Sequence, residues 1–405
     1  MPAVTCRTSM ATTVLPMTPA TISSETGRPL RVAYVISAFQ TAQAGTEGHL
    51  LRLIRQIDRR RVDPQLIVLQ DSDWTRSFHD PQVPLTTLGF RSFWNPRDWG
   101  CVGRLARLFR TFQADVVELH ATDAHFAGSL AARWARVPVV ISCRRDLGHQ
   151  LTWKDRLLHR IGNPMVDCFL ANSQEVISHF RRTEGIAASS FQLIHNGLDL
   201  DQFDRSSAGP VRGDLAEVFT RGPVIVISAN LRPVKDHPTL LRAFQLVRQQ
   251  VPNSQLLMLG SGEELESLQR LASELGIAEQ VHWAGSVPEV APYLRRSSVG
   301  CLSSRTEGFS NALMEYMAAA LPVVATRTGG ATEAVVAGLT GWLVDPGDAP
   351  HLAQRLIDVL SDPAEGRAMG IRGRHRIESL FTQSVQLDKY CRLYHELYQH
   401  HRRSS

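Results

Sequence analysis

Two glutamates, Glu307 and Glu315, lie eight residues apart at the start of a predicted helix in the segment RTEGFSNALMEY (305–316). Ser310 is the predicted N-cap, so the helix should run from Asn311 and place Glu315 just over one turn inside it. Carboxylates accept paired hydrogen bonds from vicinal hydroxyls, and free backbone N–H groups before a helix suit a phosphate. This order predicts a clamp for a ligand that combines a sugar, a diphosphate and a ribose. A capped surface helix whose acids complement the helix dipole is the alternative that the residues leave open.

A second candidate site is the loop ANLRPVKDHPTLL (229–241), which follows a predicted strand and carries Arg232 and Lys235 three residues apart. A helix is predicted to open near His237. Two cations beside a helix N-terminus favour a bound anion and suit a diphosphate. Ordinary solvated cations are the alternative for this loop.

Two further loops that follow predicted strands carry residues able to contact a ligand. Gly45 precedes a predicted helix, where glycine lets the backbone approach a phosphate closely. An ordinary strand–helix turn has the same composition. His120 ends the segment ADVVELH (114–120), and a histidine there can polarise or protonate a ligand oxygen near neutral pH. A helix-capping or partly buried histidine is the alternative for His120 and for the nearby His125.

The elements that must position these loops follow from the hydrophobic pattern. Short apolar, β-branched segments alternate with segments of helical periodicity, which is typical of parallel sheets covered by helices on both faces. The pattern begins again at 223 after a polar stretch at 204–222. We therefore predict an α/β fold with two Rossmann-like domains that face each other across a cleft. Ligands of such sheets bind beyond the carboxyl ends of strands, where all four candidate loops lie. The predicted strands are 30–37, 64–70, 114–119, 137–142, 167–172, 191–195, 223–229, 255–260, 280–285, 298–304, 321–326 and 341–345.

The predicted domain boundaries place a tail at 1–29, a first domain at 30–203, a second domain at 204–382 and a last helix at 383–405. The tail is rich in Thr, Ser and Pro and lacks the basic region and apolar run of a signal peptide, so we expect it to be disordered. A true start at Met10 or Met17 is the alternative.

The composition limits the class of protein. A chain of 405 residues with 43% hydrophobic and 20% charged residues is long enough for two globular domains, and it has no apolar run of transmembrane length. Six cysteines without CxxC spacing indicate neither a disulfide framework nor a zinc site and favour a reducing compartment. The net charge of +5 permits an anionic partner, but no aromatic-basic motif indicates nucleic acid.

The spacing of the two glutamates inside EGFSNALMEYMAAALPVVAT (307–326) resembles the signature of the retaining glycosyltransferases of family 4, which have the GT-B fold. Further segments match in the family's order, so that the resemblance covers nearly the whole chain from about residue 30. They are 44–54, 114–128, 170–180, 193–203, 229–244, 256–268 and 328–335.

The resemblance implies roles for the charged residues. Arg232 and Lys235 would hold the diphosphate of a nucleotide sugar and stabilise the charge that develops as it leaves. Glu315 would bind the ribose hydroxyls, and Glu307 would bind hydroxyls of the transferred hexose. Arg232, Lys235 and Glu307 are thus the charged members of the implied catalytic set.

The resemblance also implies roles for less polar positions. The backbone N–H groups of Gly308, Phe309 and Ser310 would contact the phosphates, and Gly45 would lie close to the phosphates and the acceptor. His120 matches the family's histidine near the reacting sugar and completes the implied catalytic set. The last helix would cross back onto the first domain.

Two positions depart from the family pattern. The glycine pair of the first loop is Ala44-Gly45 here, and the usual Lys-Gly is Lys235-Asp236, so that turn should not depend on glycine. Two DxD triplets, 71–73 and 199–201, have the form of a metal motif found in another transferase fold. We predict no metal and no cofactor beyond the nucleotide sugar itself, because cations and a helix dipole neutralise the leaving group.

The implied function is retaining transfer of a hexosyl unit from a nucleoside diphosphate sugar, with UDP or GDP as the nucleotide. The acceptor would be a hydroxyl of a glycan, a lipid-linked glycan or a small molecule, in cell-surface polysaccharide or glycoconjugate synthesis. A nucleotide-sugar epimerase of the same fold, which needs no acceptor, and a non-catalytic nucleotide-sugar-binding module are the alternatives.

The expected location is the cytoplasm. The segments 104–112 and 144–163 mix basic and apolar residues and suit a peripheral contact with the anionic inner face of the cytoplasmic membrane. A solvated helix face over a core is the alternative for both segments.

Overall fold

Two parallel β-sheets, each buried on both faces, organise the computed structural model of this chain. The structure describes residues 28–40, 45–91, 98, 100–148 and 151–404, so the predicted tail at 1–29 lies almost entirely outside the described residues. Neighbouring side chains of the first strand belong to separate apolar clusters, Val32 and Tyr34 on one face and Ala33 and Val35 on the other. Continuous apolar runs therefore form strands with helices on both faces, and the predicted α/β fold is confirmed.

The first sheet has seven parallel strands in the order β3-β2-β1-β4-β5-β6-β7. They are β1 (Leu30–Ile36), β2 (Val62–Val68), β3 (Leu85–Thr87), β4 (Val116–His120), β5 (Val139–Arg144), β6 (Cys168–Ala171) and β7 (Phe191–Leu193). The hydrophobic pattern does not predict β3, because a three-residue edge strand with two threonines has too few apolar residues to show a period.

Six α-helices accompany this sheet in the part of the chain that the structure describes. They are α1 (Gly45–Gln56), α2 (Asp73–Ser77), α3 (Cys101–Phe112), α4 (Thr122–Ala135), α5 (Trp153–Gly162) and α6 (Gln174–Glu184). Three short helices then lead to the second sheet: α7 (Leu200–Ser207), α8 (Gly213–Ala216) and α9 (Val218–Arg221).

The second sheet has six parallel strands in the order β10-β9-β8-β11-β12-β13. They are β8 (Val224–Ser228), β9 (Gln255–Leu259), β10 (Val281–Gly285), β11 (Val299–Leu302), β12 (Val323–Thr326) and β13 (Gly341–Val344). The helices between and after them are α10 (His237–Gln250), α11 (Leu265–Glu274), α12 (Ala291–Leu294), α13 (Asn311–Ala318), α14 (Ala331–Ala334), α15 (Ala349–Ser361), α16 (Pro363–Leu380) and α17 (Gln383–Ser404).

The strand orders place the candidate loops together. In each sheet the order in which successive strands are added reverses at one point. This point lies between β1 and β4 in the first sheet and between β8 and β11 in the second. Loops after such neighbouring strands diverge and leave a crevice for a ligand. The four loops singled out in the sequence follow β1, β4, β8 and β11, so all four lie at these two crevices.

The last helix, α17, packs against the first sheet although it follows the second sheet in the chain. Tyr394 donates a hydrogen bond of 2.6 Å to the buried Glu118 of β4 and lies 3.1 Å from the hydroxyl of Tyr34. Arg61 pairs with Asp388 at 2.9 Å. Buried hydrogen bonds and an ion pair thus hold the end of the chain on the first half of the molecule.

Candidate active site

A cavity of about 520 Å³ lies between the two halves, at the carboxyl ends of their strands. Among the described residues, its polar lining comes from seven segments at strand ends or helix starts, four in the first half and three in the second. The first half contributes Gly45, Thr46, Arg145, Asp146, Asn172 and Asn196, and the second half contributes Ser228, Asn230, Lys235, Ser286, Glu307, Gly308, Ser310, Asn311 and Glu315. Ligand cavities of this size are ordinary for small-molecule sites.

Lys235 and Glu307 meet across two loops of the second half. The ammonium Nζ lies 2.6 Å from Glu307 Oε1, and the same oxygen accepts a hydrogen bond of 2.6 Å from Ser304. Both side chains are partly shielded from water, at 23% and 11% exposed. The cavity thus contains a cation whose present partner is a carboxylate, and an anionic ligand would compete with that carboxylate for it.

The loop that carries Lys235 is held in a defined shape. Ser303 donates to the Lys235 carbonyl at 2.8 Å, and the Arg305 N–H donates to the Val234 carbonyl at 2.9 Å. Asp236 adopts a left-handed backbone (φ +49°, ψ 46°), and its carboxylate lies 3.2 Å from Arg305 Nε. Aspartate tolerates this region better than most residues. The turn therefore forms with aspartate at position 236, as expected from the sequence. Its backbone conformation is nevertheless one that glycine adopts more easily.

Helix α13 begins at Asn311, as the N-cap assignment of Ser310 predicts. The Ser310 side chain, however, makes no capping hydrogen bond, so the expected side-chain cap is wrong. The N–H groups of the first turn therefore lack this side-chain acceptor, and Ser310 and Asn311 line the cavity. An uncapped helix start facing a cavity favours a bound anion.

Glu315 lines the same cavity one turn further along α13. Burial raises the pKa of its carboxyl from 4.5 to about 7, against the opposing effect of the Arg52 guanidinium of α1. A carboxylate with few water contacts gains from ligand hydroxyls that donate to it. Glu307 and Glu315 therefore line the same cavity, one just before α13 and one inside it.

The two halves touch at Gly308. A Cβ atom at this position would lie 2.0 Å from the backbone oxygen of Arg145, so any side chain would force the halves apart. Asn172 donates to the same oxygen at 3.0 Å. Asn196 donates to the Phe309 carbonyl at 3.0 Å, which places the loops after β6 and β7 directly against the Glu307 loop. Glycine at 308 is required by this close approach.

Gly45 and Phe309 are two further candidate residues that line the cavity, and their contacts with a ligand stay predictions. Gly45 is the first residue of α1, has a positive φ of +29° and lines the cavity. Ala44, which directly precedes it in the sequence, lies outside the described residues. The Phe309 ring is buried against His195 and Phe381.

Arg232 is brought to the same loop but not into the cavity lining. Its side chain is exposed, and it immediately precedes the single helical turn Pro233–Lys235 that presents Lys235. Its assignment to the diphosphate stays a prediction.

His120 ends β4 beside the site but is 1% exposed and does not line the cavity. Its Nε2 lies 2.9 Å from Glu118 Oε1, which also accepts from the Cys143 thiol at 3.3 Å. Glu118, His120 and Cys143 are a buried group of metal-ligand type, yet Tyr394 and Cys143 already donate to the carboxylate. The role of His120 near the sugar stays a prediction. His125, the second histidine of this region, is buried and bonded to Ser142 at 2.9 Å.

The two DxD triplets have structural partners. Ser72 caps α2, and Asp73 pairs with Arg76 at 2.6 Å. Asp199 caps α7 by accepting from the Gln202 N–H at 2.9 Å. These side chains do not line the cavity.

Several lining residues were not among the candidates. Arg145, Asn172 and Asn196 follow β5, β6 and β7, whereas Ser228 is the last residue of β8 and Asn230 follows it. Asparagine and serine are common in any turn, so their residue types alone carried no signal. Their position at the ends of buried parallel strands is the signal that indicates them, because ligands of such sheets bind beyond the carboxyl ends of the strands.

Comparison with known proteins agrees with this geometry. A model of the family described as "Glycosyltransferase Family 4" matches residues 44–202, and one described as "Glycosyl transferases group 1" matches residues 216–376. The solved structure of Anabaena HepE in complex with UDP covers 90% of this chain and 99% of its own with a TM-score of 0.77 at 18% identity. A Rickettsia africae glycosyltransferase covers 91% and 98% with a TM-score of 0.78, also at 18% identity.

Relatives at higher identity are named as enzymes. The GDP-mannose-dependent alpha-(1-6)-phosphatidylinositol monomannoside mannosyltransferase of Mycobacterium tuberculosis is 31% identical over 365 residues, covering 85% of this chain and 92% of that protein. Its Mycolicibacterium smegmatis counterpart is 34% identical over 264 residues, covering 61% and 67%. The N-acetyl-alpha-D-glucosaminyl L-malate synthase of Bacillus anthracis is 30% identical, covering 75% and 80%. The chain therefore belongs to the glycosyltransferases of family 4, with the two-domain GT-B fold.

Proposed function

We propose that this chain transfers a hexosyl unit from a nucleoside diphosphate sugar to a hydroxyl acceptor, with retention of anomeric configuration. One observation carries the proposal. Lys235, Glu307, Glu315 and the uncapped start of α13 line one cavity between the two halves.

In the proposed complex the diphosphate lies at the start of α13, between the two glutamates. The N–H groups of 308–310 and the Lys235 ammonium neutralise its charge. Glu315 accepts hydrogen bonds from the ribose hydroxyls, and Glu307 accepts them from the hexose. The exposed Arg232 side chain, at the start of the same loop, supplies a second cation to the phosphates.

Rate acceleration in this proposal comes from positioning and from electrostatic stabilisation of the departing diphosphate. The acceptor hydroxyl attacks from the face that the diphosphate leaves, and a phosphate oxygen takes its proton. Neither step needs a protein nucleophile. The donor is the co-substrate, and no metal ion or other cofactor has a role in the proposed reaction. Gly45 contributes the first-half side of the reacting centre, and we assign His120, buried at the end of β4, to the support of that side.

We assign acceptor binding to residues 30–203, donor binding to 204–382 and a bracing role to the helix at 383–405. The acceptor is a lipid-linked hydroxyl, and the enzyme is cytoplasmic and peripheral at the inner face of the membrane. The phosphatidylinositol mannoside acceptors in the names of two relatives support this choice. No helix of the described residues has the length and apolar character needed to cross a bilayer.

The first test is a thermal-shift panel of UDP, GDP and ADP sugars, because a ligand that binds the folded state alone raises its apparent stability. GDP-mannose is the first donor to try, given the names of the mannosyltransferase relatives. We expect one nucleotide series to raise the melting temperature, with a Lys235→Met variant responding much less. A flat response across all three series contradicts the proposal.

The second test separates the proposal from its rivals. With the donor so identified, hexose should appear on a hydroxyl acceptor, and the donor should stay unchanged when no acceptor is present. An epimerase would convert the donor sugar without an acceptor. A binding module would shift in temperature but release no nucleoside diphosphate.

A further inference from the structure

Helix α5 exposes a line of large apolar side chains on the surface of the first half. Trp153, Leu157 and Ile161 are 70%, 43% and 46% exposed, and they follow one another at intervals of four residues. Side chains four apart lie on one face of a helix, so the three form a stripe roughly 12 Å long. A stripe of this kind on a soluble surface indicates an interaction site.

The helix is firmly seated, so the stripe is a fixed surface. Thr152 and Asp155 form a capping box at its start. On the inner face, His159 Nδ1 lies 2.7 Å from Glu184 Oε1, and its Nε2 lies 3.2 Å from Thr122 Oγ1. Leu158 is buried beside it. One face of α5 is therefore bound to the protein, and the apolar stripe is left facing outward.

Cations flank the stripe. Lys154, Arg156 and Arg160 are exposed on the same helix, and the Lys154 ammonium lies 5.8 Å from the centre of the Trp153 ring. Within the part of the chain that the structure describes, no carboxylate pairs with Arg156 or Arg160. The helix thus offers apolar and positively charged groups together, with its own carboxylate, Asp155, engaged in the cap.

The same character continues onto the neighbouring helices. Helix α4 packs against both α3 and α5, and its Trp134 is 59% exposed. The Arg110 guanidinium of α3 lies 5.8 Å from the centre of the Trp134 ring. Arg107 of α3 and Arg136, the residue directly after α4, are also exposed. A second tryptophan beside further cations extends the surface beyond α5.

We infer that the α5 face, defined as Trp153, Leu157, Ile161, Lys154, Arg156 and Arg160, docks on an anionic lipid surface. Apolar side chains on an amphipathic helix enter the boundary between headgroups and acyl chains, where tryptophan is favoured. Flanking cations meet the negative headgroups. Among the described residues no carboxylate pairs with Arg156 or Arg160, and this excess of positive charge beside the apolar stripe selects an anionic lipid as the occupant.

The position of α5 connects this face with the reaction. Arg145 and Asp146, which line the cavity, lie on the segment that leads from β5 into α5. Docking through α5 brings the acceptor side of the cavity to the lipid surface. This use of the face rests on the proposed transfer to a lipid-linked hydroxyl, whereas the docking itself requires no donor or acceptor.

The test is co-sedimentation of the full chain with phosphatidylcholine vesicles that contain or lack phosphatidylglycerol, at low and high salt. We expect binding to the anionic vesicles alone, weakened by salt. The variants Trp153→Ser/Leu157→Ser/Ile161→Ser and Lys154→Gln/Arg156→Gln/Arg160→Gln should each lower the partition coefficient roughly tenfold or more. Nucleotide-induced thermal shifts should be unchanged in both, which shows that they fold.

Matched controls come from the second half, where Ile371 and Leu380 are 51% and 44% exposed and Arg242 and Arg270 are exposed. Ile371→Ser/Leu380→Ser and Arg242→Gln/Arg270→Gln should bind vesicles like the parent chain. Absence of binding to anionic vesicles, undiminished binding by the two α5 variants, or equal losses in the controls would each overturn the inference. Vesicle binding without any nucleotide response would instead overturn the proposed function and leave the docking face standing.

Discussion

The Lys235 ammonium lies 2.6 Å from Glu307 Oε1, so the two charged groups assigned to the diphosphate and to the hexose hold each other in the ligand-free protein. The pair competes with the donor for both groups. Substitution of Lys235 and substitution of Glu307 should therefore change the affinity for a sugar-free nucleoside diphosphate in different ways.

Lys235→Met removes the cation and should weaken binding of the free nucleoside diphosphate about tenfold or more, as expected for loss of a partly shielded charge-assisted contact. Glu307→Gln releases the ammonium from its carboxylate and should leave that affinity unchanged or raise it. Isothermal titration with the diphosphate checks both. If Glu307→Gln weakens binding as strongly as Lys235→Met, the proposed division between phosphate and sugar contacts is wrong.

Glu315 should make folding stability depend on pH. Its pKa in the folded protein is raised from 4.5 to about 7 by burial, so the protonated carboxyl stabilises the fold below the unfolded pKa, and this stabilisation is lost as pH rises through about 7. Glu315→Gln keeps a neutral group at every pH. The variant should therefore match the parent near pH 4 and exceed it by roughly 1–3 kcal/mol near pH 8.

Thermal melts of the two proteins across this pH range measure the difference. Glu274→Gln, at an exposed carboxylate of α11, is the matched control, and its stability should follow that of the parent at every pH. A constant offset between the Glu315→Gln variant and its parent at all pH values would contradict the burial of this carboxyl.

Asp236 replaces the glycine that the family resemblance leads one to expect, in a left-handed backbone conformation. Its carboxylate also accepts from Thr239 at 2.9 Å and pairs with Arg305 at 3.2 Å. Asp236→Ala loses both contacts and keeps the backbone strain, so it should cost about 1–3 kcal/mol of unfolding free energy. Asp236→Gly, which removes the strain, should cost less. Urea unfolding ranks the two, and the reverse order would show that the turn is not strained.

Tyr394 ties the last helix to the first sheet through its 2.6 Å hydrogen bond to Glu118, which is fully buried. Tyr394→Phe leaves one carboxylate oxygen without this donor and should lower stability by about 1–3 kcal/mol. Tyr398→Phe, four residues along on the same helix and partly buried against the same core, is the control and should cost under about 0.5 kcal/mol. Equal melting temperatures for both variants would contradict the proposed role of the Tyr394 hydrogen bond in holding α17 on the first sheet.

Much of this architecture follows from local patterns in the chain. Long apolar strands such as β1 and β8 are predictable because sheets buried on both faces need continuous β-branched runs. The edge strand β3, at Leu85–Thr87, is too short to show a pattern. The loops after strands are predictable because parallel strands place their carboxyl ends at one edge of the sheet. The charges at Lys235, Glu307 and Glu315 make two of these loops recognisable.

The remaining features depend on packing between distant segments. The approach of Gly308 to the Arg145 carbonyl and the hydrogen bond from Asn196 to Phe309 join the two halves, and single-sequence spacing does not indicate which loops will touch. The same applies to His120, whose partner Glu118 accepts a hydrogen bond from Tyr394 of α17, far away in the chain. Long-range contacts therefore decided which strand-end residues reached the cavity.

The most direct test of the central claim is turnover by Glu307→Ala with the donor that the nucleotide panel identifies. The account predicts a fall in kcat/KM of roughly a hundredfold or more, since contacts with the transferred sugar are lost where charge develops. Glu274→Ala, at the exposed carboxylate of α11, should turn over like the parent. Full turnover by Glu307→Ala would contradict the assignment of this cavity to the transferred sugar.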